Sequence, residues 1–282
     1  MVLSDIEELA KKLNIDFWGV ASIERFNNAP MGRKPTDILF NAKSVIAIGI
    51  QIPKGALVAQ MRFYEGYDPG KFVYLHYGVQ IPNTYLEIAS INISRFLEKE
   101  YGWVSVPLPP SQPYDRANRL GVMSVRHIAC AAGLGEIGWN NLMIHPEIGC
   151  AVRYGGVVTE GEIKQTMLYG GEPLCRPDKC GRLCVRECPI GAISATESVG
   201  FEISDRNFCM GDMDKIYCQA LSVLELDSSL SKQRWTKIVE ERTRENIVSL
   251  INETQTPMKR TATRLCGKCL ILCPVTRTKM RI

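Results

Sequence analysis

The chain has no run of apolar residues long enough to cross a membrane, which takes about 20 residues as a helix. Its first residues, MVLSDIEELAKKLN, contain no basic segment followed by an apolar one and no small-residue cleavage site. We therefore expect no membrane partner and a cytoplasmic location, a compartment in which disulfides are rare. With 282 residues, 45% of them hydrophobic, and a net charge of +4, two ordinary globular domains are expected.

Histidine is also scarce, and cysteine pairs with the CxxC spacing are almost missing. The three histidines, His76, His127 and His145, are far apart in sequence. A zinc ribbon or finger favours two CxxC pairs, and only Cys266 and Cys269 form one. Zinc and disulfides thus remain the weaker interpretations of the cysteines.

What the sequence does have is eleven cysteines in two runs that each end in Cys-Pro. The first run comprises Cys175, Cys180, Cys184 and Cys188 before Pro189, and the second comprises Cys266, Cys269 and Cys273 before Pro274. Bacterial two-cluster ferredoxins use a C-x2-C-x2-C-x3-C-P run in which the fourth cysteine ligates the other cluster. Two such runs predict two [4Fe-4S] clusters and redox chemistry.

The spacing departs from the ferredoxin rule in both runs. In the first run Cys184 is in place, while Cys180 and Cys175 are displaced along a looser loop. In the second run the rule requires a ligand at Thr263, so one ligand must come from elsewhere. The prediction is a first cluster on Cys175, Cys180, Cys184 and Cys273, and a second on Cys188, Cys266 and Cys269 with either Cys209 or Cys218. Cysteines left over, including Cys130 and Cys150, are expected to be buried small apolar residues.

The C-terminal stretch 257–282 is basic throughout. It contains no acidic residue and seven basic ones: Lys259, Arg260, Arg264, Lys268, Arg277, Lys279 and Arg281. The stretch could be a solvated face that offsets the charge of reduced clusters, or a dock for an acidic electron donor or an anionic substrate.

Helical and strand patterns alternate over residues 1–165, which predicts an α/β domain, and residues 166–282 form the cluster domain. In the first domain we expect a helix capped by Ser4, strands over 17–21, 44–50, 142–144 and 151–159, and helices over 84–100 and 122–132. An aromatic loop is expected over 51–83 and an irregular proline-rich crossing over 107–113. A helical insertion at about 210–260 separates the two cysteine runs.

The segment Gly133-Leu134-Gly135-Glu136-Ile137-Gly138 matches GxGxxG by letter. A dinucleotide-binding turn requires a strand before these glycines and a helix after them. Here the predicted helix comes first and strand-like residues follow, so dinucleotide binding is disfavoured.

The longer string AxxAGLGEIGxNxLxIxPExG, residues 129–149, resembles the cobalamin-dependent reductases with two [4Fe-4S] clusters. These are the epoxyqueuosine reductases and the catalytic core of the reductive dehalogenases. AKSVIAIGI at 42–50, CPIGAIS at 188–194 and CGKCLILCP at 266–274 are also similar to that superfamily. DRNFC at 205–209 resembles the segment that supplies the isolated ligand in epoxyqueuosine reductases, which favours Cys209 over Cys218.

The resemblance implies a nitroreductase-like α/β domain holding a base-off corrinoid, followed by a ferredoxin-like domain that delivers electrons to cobalt. The residues that it places near the corrinoid are Gly133, Gly135, Glu136, Gly138 and Asn141. Glycines there would let the backbone approach a large flat ligand. No histidine is expected to ligate cobalt.

The proton donor of epoxyqueuosine reductases has no acidic equivalent at the matching position of this chain. Where epoxyqueuosine reductases have an Asp proton donor this chain has Arg119, and Asp115 lies four residues away. Glu136 replaces their Trp, as in dehalogenases, and Tyr114 is a tyrosine donor candidate of the dehalogenase kind. These four residues are the weak catalytic candidates.

Three functions follow, in order of preference. The first is a corrinoid- and iron–sulfur-dependent reductase of a small organic substrate, supplied by a ferredoxin- or flavodoxin-type electron donor. The second is an electron-transfer or activating protein that reduces a partner protein. The third is an epoxyqueuosine-reductase-like enzyme acting on tRNA, for which a net charge of +4 is weak support.

Overall fold

A four-stranded sheet with the order β1-β2-β6-β3 lies at the centre of the fold. The structure is a computed structural model that describes residues 2–67, 69–110, 120–218, 245–247, 249 and 266–282. The strands are β1 Phe17–Ser22, β2 Ser44–Gln51, β3 Ser105–Leu108, β4 Glu136–Ile137, β5 Met143–Ile144, β6 Val152–Thr159, β7 Ile193–Ile203 and β8 Arg206–Met213. The helices are α1 Val2–Lys12, α2 Pro35–Ile38, α3 Lys54–Tyr64, α4 Pro69–Leu75, α5 Ile81–Tyr101, α6 Val125–Ala131, α7 Pro177–Cys180, α8 Leu183–Arg186, α9 Lys268–Ile271 and α10 Pro274–Met280.

Strand β2 is apolar on both faces because both faces of the sheet are covered. Val45 and Ala47 point into one hydrophobic cluster, and Ile46 and Ile48 point into another. Helices α1 and α5 cover the second cluster. Helices α3, α4, α6 and, near the C-terminus, α9 cover the first. Alternate side chains of a strand face opposite sides, so a doubly covered strand reads as a continuous apolar run.

The predicted mixture of helices and strands is confirmed, but the sheet is antiparallel in all three of its pairings. Alternating helices and strands usually give a parallel sheet, which joins neighbouring strands by right-handed crossovers. Here β6 returns between β2 and β3, so the central pairing joins strands about a hundred residues apart in sequence. The nitroreductase-like and ferredoxin-like descriptions stay predictions, as does the division at residue 165.

The expectation of a loop over 51–83 is wrong. This stretch forms α3, α4 and a π-helical turn, His76–Gln80. In α3 the buried residues Ala56, Leu57, Gln60 and Phe63 recur at three- and four-residue spacing, which is a helical period that the aromatic content of the stretch obscured. Of the proline-rich crossing, residues 105–108 form β3, whereas residues 111–119 lie outside the described part of the chain.

The other predicted elements are confirmed, with shifted ends. Helix α1 begins before Ser4, so this residue lies inside the helix and does not cap it. Most of the helical insertion predicted for 210–260 falls outside the described residues, although β8 continues to Met213 and residues 215–218 are helical. In the described part of the chain, no helix has both the length and the apolar character needed to cross a membrane.

Gly102 ends α5 in the left-handed region, with φ at +69°, and nothing lies within 4 Å of where its Cβ would be. The change Gly102→Ala therefore tests backbone strain alone, and we expect it to lower the free energy of unfolding by about 1 kcal/mol. Gly55→Ala, inside α3 and also in open space, should instead raise it by about 0.5–1 kcal/mol. Urea unfolding of the two variants checks both signs, and a neutral Gly102→Ala would contradict the assignment of the helix end.

Candidate functional site

The thiols of the first predicted set are electrostatic neighbours of one another. Burial raises the pKa of the Cys184 thiol to about 11, and the neighbouring thiols of Cys175, Cys180 and Cys273 raise it as well. Cys175 has its pKa raised to about 11 mainly by burial, and Cys273 and Cys180 are again among its neighbours. Cys273, from the second run, is therefore an electrostatic neighbour of Cys175 and Cys184 of the first run.

Short helices position the first run. Pro177 begins α7, and Gly181 ends it in the left-handed region with φ at +58°. Arg182, also left-handed at φ +48°, starts α8 one residue later. Cys180 is therefore the last residue of α7, and Cys184 is the second residue of α8.

Backbone N–H groups already point at two of these sulfurs. Trp139 N–H donates to Cys175 Sγ over 3.2 Å, and Ala192 N–H donates to Cys188 Sγ over 3.3 Å. Trp139 itself is fixed by an Nε1–H bond to the Ser194 carbonyl at 2.9 Å, and the Arg182 guanidinium lies 4.9 Å from its ring centroid. Hydrogen bonds of this kind stabilise thiolates and set the potentials of iron–sulfur clusters.

Cys273 is the one thiol with a lowered pKa, about 6. The main cause is a hydrogen bond with the Cys150 side chain, and the backbone N–H groups of Thr276 and Val275 add to it. These N–H groups belong to the first turn of α10, where unpaired donors favour a negative charge. Because the thiolate is the form that binds metals, Cys273 has the chemistry of a ligand.

The second set gathers around Cys269, with one difference from the prediction. Burial raises the pKa of Cys269 well above its usual value, and its neighbouring thiols are Cys218, Cys266, Cys188 and Cys184. Cys218 makes the largest contribution of these four.

The thiol near Cys209 belongs to the first predicted set. Cys209 is exposed on β8 and is a neighbour of Cys175. Cys218 is thus an electrostatic neighbour of Cys269 and Cys209 is one of Cys175, and the choice between them as the isolated ligand stays a prediction. In the sequence, the resemblance of DRNFC at 205–209 to the segment that supplies the isolated ligand favours Cys209.

Asp214 places Cys218 at the start of a helical turn. Its carboxylate Oδ1 accepts the N–H groups of Ile216 at 2.9 Å and Tyr217 at 3.0 Å, and its carbonyl accepts the Cys218 N–H at 3.0 Å. An Asp accepting N–H groups two and three residues on is a helix N-cap. This cap, four residues before a cysteine, is the sequence signal that could have favoured Cys218.

Helix α3 holds the loop of the second run. Tyr64 Oη donates to the Cys266 carbonyl, and Gln60 Nε2 donates to the same oxygen over 3.0 Å. Lys268, inside this run, pairs with Glu187 of the first run at 3.4 Å. The pair is partly exposed and contributes little to stability, but it joins the two runs directly.

The glycine segment is closed by the chain's own atoms. A Cβ at Gly133 would come within 3.0 Å of the Met167 carbonyl, one at Gly135 within 3.0 Å of the Ile144 carbonyl, and one at Gly138 within 3.0 Å of the Ile144 side chain. Gly133 and Gly135 also have positive φ, +79° and +143°. Close backbone approach explains these glycines, and the atoms that approach them belong to the protein.

Glu136 and Asn141, the other residues predicted to contact a corrinoid, form hydrogen bonds within the chain. Glu136 Oε2 accepts the Leu174 N–H at 2.9 Å, next to Cys175. Asn141 Nδ2 donates to the Gly211 carbonyl over 2.5 Å, and its own carbonyl accepts from Arg126. These hydrogen bonds lie within the chain, and the corrinoid contact of the five residues stays a prediction.

The described structure contains one of the four weak catalytic candidates, Glu136, whose carboxylate holds the loop before Cys175. Tyr114, Asp115 and Arg119 lie outside the described residues. The sequence interpretation did not single out Trp139 and Asn140, whose hydrogen bonds reach both cysteine runs. Their position directly after the glycine segment was the available signal.

The four-thiol sets fit [4Fe-4S] clusters by the chemistry of their donors. All eleven cysteines lie within the described residues and none is in a disulfide. Among the described residues, no three His, Cys, Asp or Glu side chains are arranged to hold a single metal ion. The fold and the two groups of thiols together define a mixed helix–strand protein with a two-cluster cysteine pattern.

Solved structures similar to this chain include reductases of the kind that the sequence resembles. Epoxyqueuosine reductase from Streptococcus thermophilus is 16% identical, with a TM-score of 0.50 over 98% of this chain and 66% of the other. A reductive dehalogenase described with a mechanism for B12-dependent dehalogenation is 16% identical, with a TM-score of 0.51 over 92% of this chain and 37% of the other. The catabolic reductive dehalogenase NpRdhA is also 16% identical, with a TM-score of 0.52, 94% of this chain and 37% of the other covered.

These similarities confirm the resemblance at the level of the fold. The matched regions span 66% of the epoxyqueuosine reductase and 37% of each dehalogenase. No protein-family model matches the sequence, and no curated protein sequence does either.

Proposed function

We propose that this protein is an iron–sulfur reductase that takes single electrons from a ferredoxin- or flavodoxin-type donor and passes them through two [4Fe-4S] clusters to a small organic substrate. The observation that supports the proposal is the electrostatic proximity of thiols from the two cysteine runs. Cys273 of the second run is a neighbour of Cys184, and Cys188 of the first run is a neighbour of Cys269. Crossed ligation is the arrangement of two-cluster ferredoxins, whose function is to move electrons.

In this proposal Cys175, Cys180, Cys184 and Cys273 hold the first cluster, and Cys188, Cys218, Cys266 and Cys269 hold the second. Trp139 and Ala192 donate N–H···S bonds to one ligand of each cluster. Both sets contain partly exposed cysteines, among them Cys180 and Cys184 in the first and Cys188 and Cys266 in the second.

The fold supports a corrinoid as the group that reduces the substrate, because structures that share it include a B12-dependent dehalogenase. A bound corrinoid would supply the reductive chemistry at cobalt. The residues predicted to contact it are satisfied within the chain, so the proposal routes no step through them. The same observation favours the second candidate, an electron-transfer protein that reduces a partner protein.

Cluster reconstitution followed by corrinoid addition tests the proposal and separates the two candidates. The protein is purified without oxygen, its clusters are rebuilt, and cob(II)alamin is added before the EPR spectrum is recorded. We expect about eight irons per chain. A base-off cobalt signal would support the reductase, and a base-on signal of free cobalamin would support the electron-transfer protein. An iron content far below eight would contradict both candidates.

A further inference from the structure

Arg153, in β6, is a half-buried cation without a carboxylate partner. Its Nε–H donates to the Gly78 carbonyl over 2.9 Å, and its Nη2–H donates to Tyr74 Oη over 3.3 Å. Within the described part of the chain it forms no ion pair. A guanidinium keeps its proton in proteins, so this side chain holds a positive charge inside the fold that no acid of the described residues neutralises.

Tyr74 connects this charge to the second cysteine run. It lies in α4 and is 0% exposed. A Cβ at Gly78 would lie 2.7 Å from Tyr74 Cδ2, and one at Gly267 would lie 2.7 Å from Tyr74 Oη. The ring therefore needs a glycine at both positions. Gly267 directly follows Cys266 and lies two residues before Cys269, so the Tyr74 hydroxyl lies against the loop that carries two predicted ligands of the second set.

The Arg153 contact determines the role of the Tyr74 hydroxyl. A guanidinium can only donate, so the Tyr74 oxygen is the acceptor in this hydrogen bond. The hydrogen of the hydroxyl remains available, and no acceptor for it is found among the described residues. Buried hydroxyl groups are normally hydrogen bonded. A donor without an acceptor, lying against Gly267, is suited to a group held by the neighbouring cysteines.

We propose that Arg153 is a positioning residue that, with Tyr74, holds a positive charge and a hydroxyl donor against the second cysteine run and thereby raises the reduction potential of the second cluster. The inference rests on the proposed function, because it needs that cluster to be present. Reduction adds one negative charge to the cluster, and nearby charge and hydrogen bonds set the potential at which this occurs. A partly buried charge acts strongly because solvent ions screen it less than a surface charge.

The test is an EPR-monitored redox titration of the anaerobically reconstituted full chain and four variants. Arg153→Gln removes the charge and keeps an amide donor, whereas Arg153→Lys keeps the charge. Tyr74→Phe keeps the ring and removes the hydroxyl. Arg25→Gln is the matched control, since Arg25 is also buried, 8% exposed, and donates to a backbone carbonyl, that of Ala131, over 2.6 Å. All the proteins should bind about eight irons.

We expect Arg153→Gln to lower the equilibrium constant for reduction of one cluster about tenfold, which is about 59 mV for one electron. Arg153→Lys should recover at least half of that shift. Tyr74→Phe should lower the same constant about threefold, because it loses a hydrogen bond and keeps the charge. Arg25→Gln should leave both potentials unchanged. The shifted signal should be the one that disappears in Cys269→Ala.

Several results would overturn the inference. Unchanged potentials in Arg153→Gln with full iron would mean that the charge does not tune the cluster. Equal shifts in Arg153→Gln and Arg153→Lys would make the effect one of packing. If Arg153→Gln does not hold iron, Tyr74→Phe decides, and an unchanged potential there would contradict the proposal. Failure of the unmodified protein to bind iron would overturn the proposed function together with the inference.

Discussion

Replacing Cys218 with alanine is expected to lower the iron content from about eight to about four atoms per chain, the loss of one whole cluster. Cys209→Ala should leave the iron content unchanged. The reason is the position of the two thiols. Both thiols are exposed, but Cys218 is the first-named thiol neighbour of Cys269, whereas Cys209, on β8, is a neighbour of Cys175. A [4Fe-4S] cluster that loses one of four thiolates is not expected to survive reconstitution and gel filtration.

Iron and sulfide analysis of the anaerobically reconstituted variants measures the effect directly, and EPR of the reduced proteins shows how many clusters remain. Cys209→Ala is a close control, because it removes a thiol from the same segment without touching the proposed second set. If Cys209→Ala lost four irons while Cys218→Ala kept eight, the structure-based assignment would be wrong and the one drawn from DRNFC would be right.

The Cys-Pro endings indicate the cysteine crossover, which stays a prediction. The sequence favoured Cys209 over Cys218 from the letters of DRNFC alone, whereas the choice depends on how a hairpin ends. In β8, Cys209 is held in register with Gly200 of β7, and the strand continues for four residues before Asp214 begins a helical turn. That turn contains Cys218, which is an electrostatic neighbour of Cys269. The sequence similarity at residues 205–209 contains no information about the turn that begins at Asp214.

The fold was predicted well where the pattern of apolar residues is clear, and poorly where other residue types obscure that pattern. The apolar run of β2 and the heavy burial of α5 were recognised from their patterns. Helix α3 was taken for a loop because aromatic residues and glycines flank it, although its buried positions follow a helical period. The antiparallel pairing of β6 between β2 and β3 is a long-range arrangement, which local patterns do not specify.

The glycine segment shows the same limit for the candidate site. Its letters were interpreted as a surface for a flat ligand, and the structure presents them as points where the chain meets itself. Gly133 lies against Met167, and Gly135 and Gly138 lie against Ile144. A glycine needed for close approach looks the same in sequence whether the approaching group is a ligand or a carbonyl of the same chain.

Gly135→Ala distinguishes these two explanations. Its φ of +143° lies where side chains are rarely tolerated, and a new Cβ would collide with the Ile144 carbonyl of the paired strand β5. We expect the free energy of unfolding of the protein, measured by urea denaturation without any corrinoid, to fall by about 4 kcal/mol or more, since strain and a backbone clash act together.

Gly66→Ala is the matched control, because Gly66 also has positive φ, +99°, but nothing lies within 4 Å of its Cβ position. It should lose only the strain component, about 1–2 kcal/mol. If the glycine at 135 served only to admit a corrinoid, the corrinoid-free Gly135→Ala protein would lose no more stability than Gly66→Ala, and the defect would appear on cobalamin addition. A large loss in the corrinoid-free protein would instead show that β4 and β5 need this glycine for their own pairing.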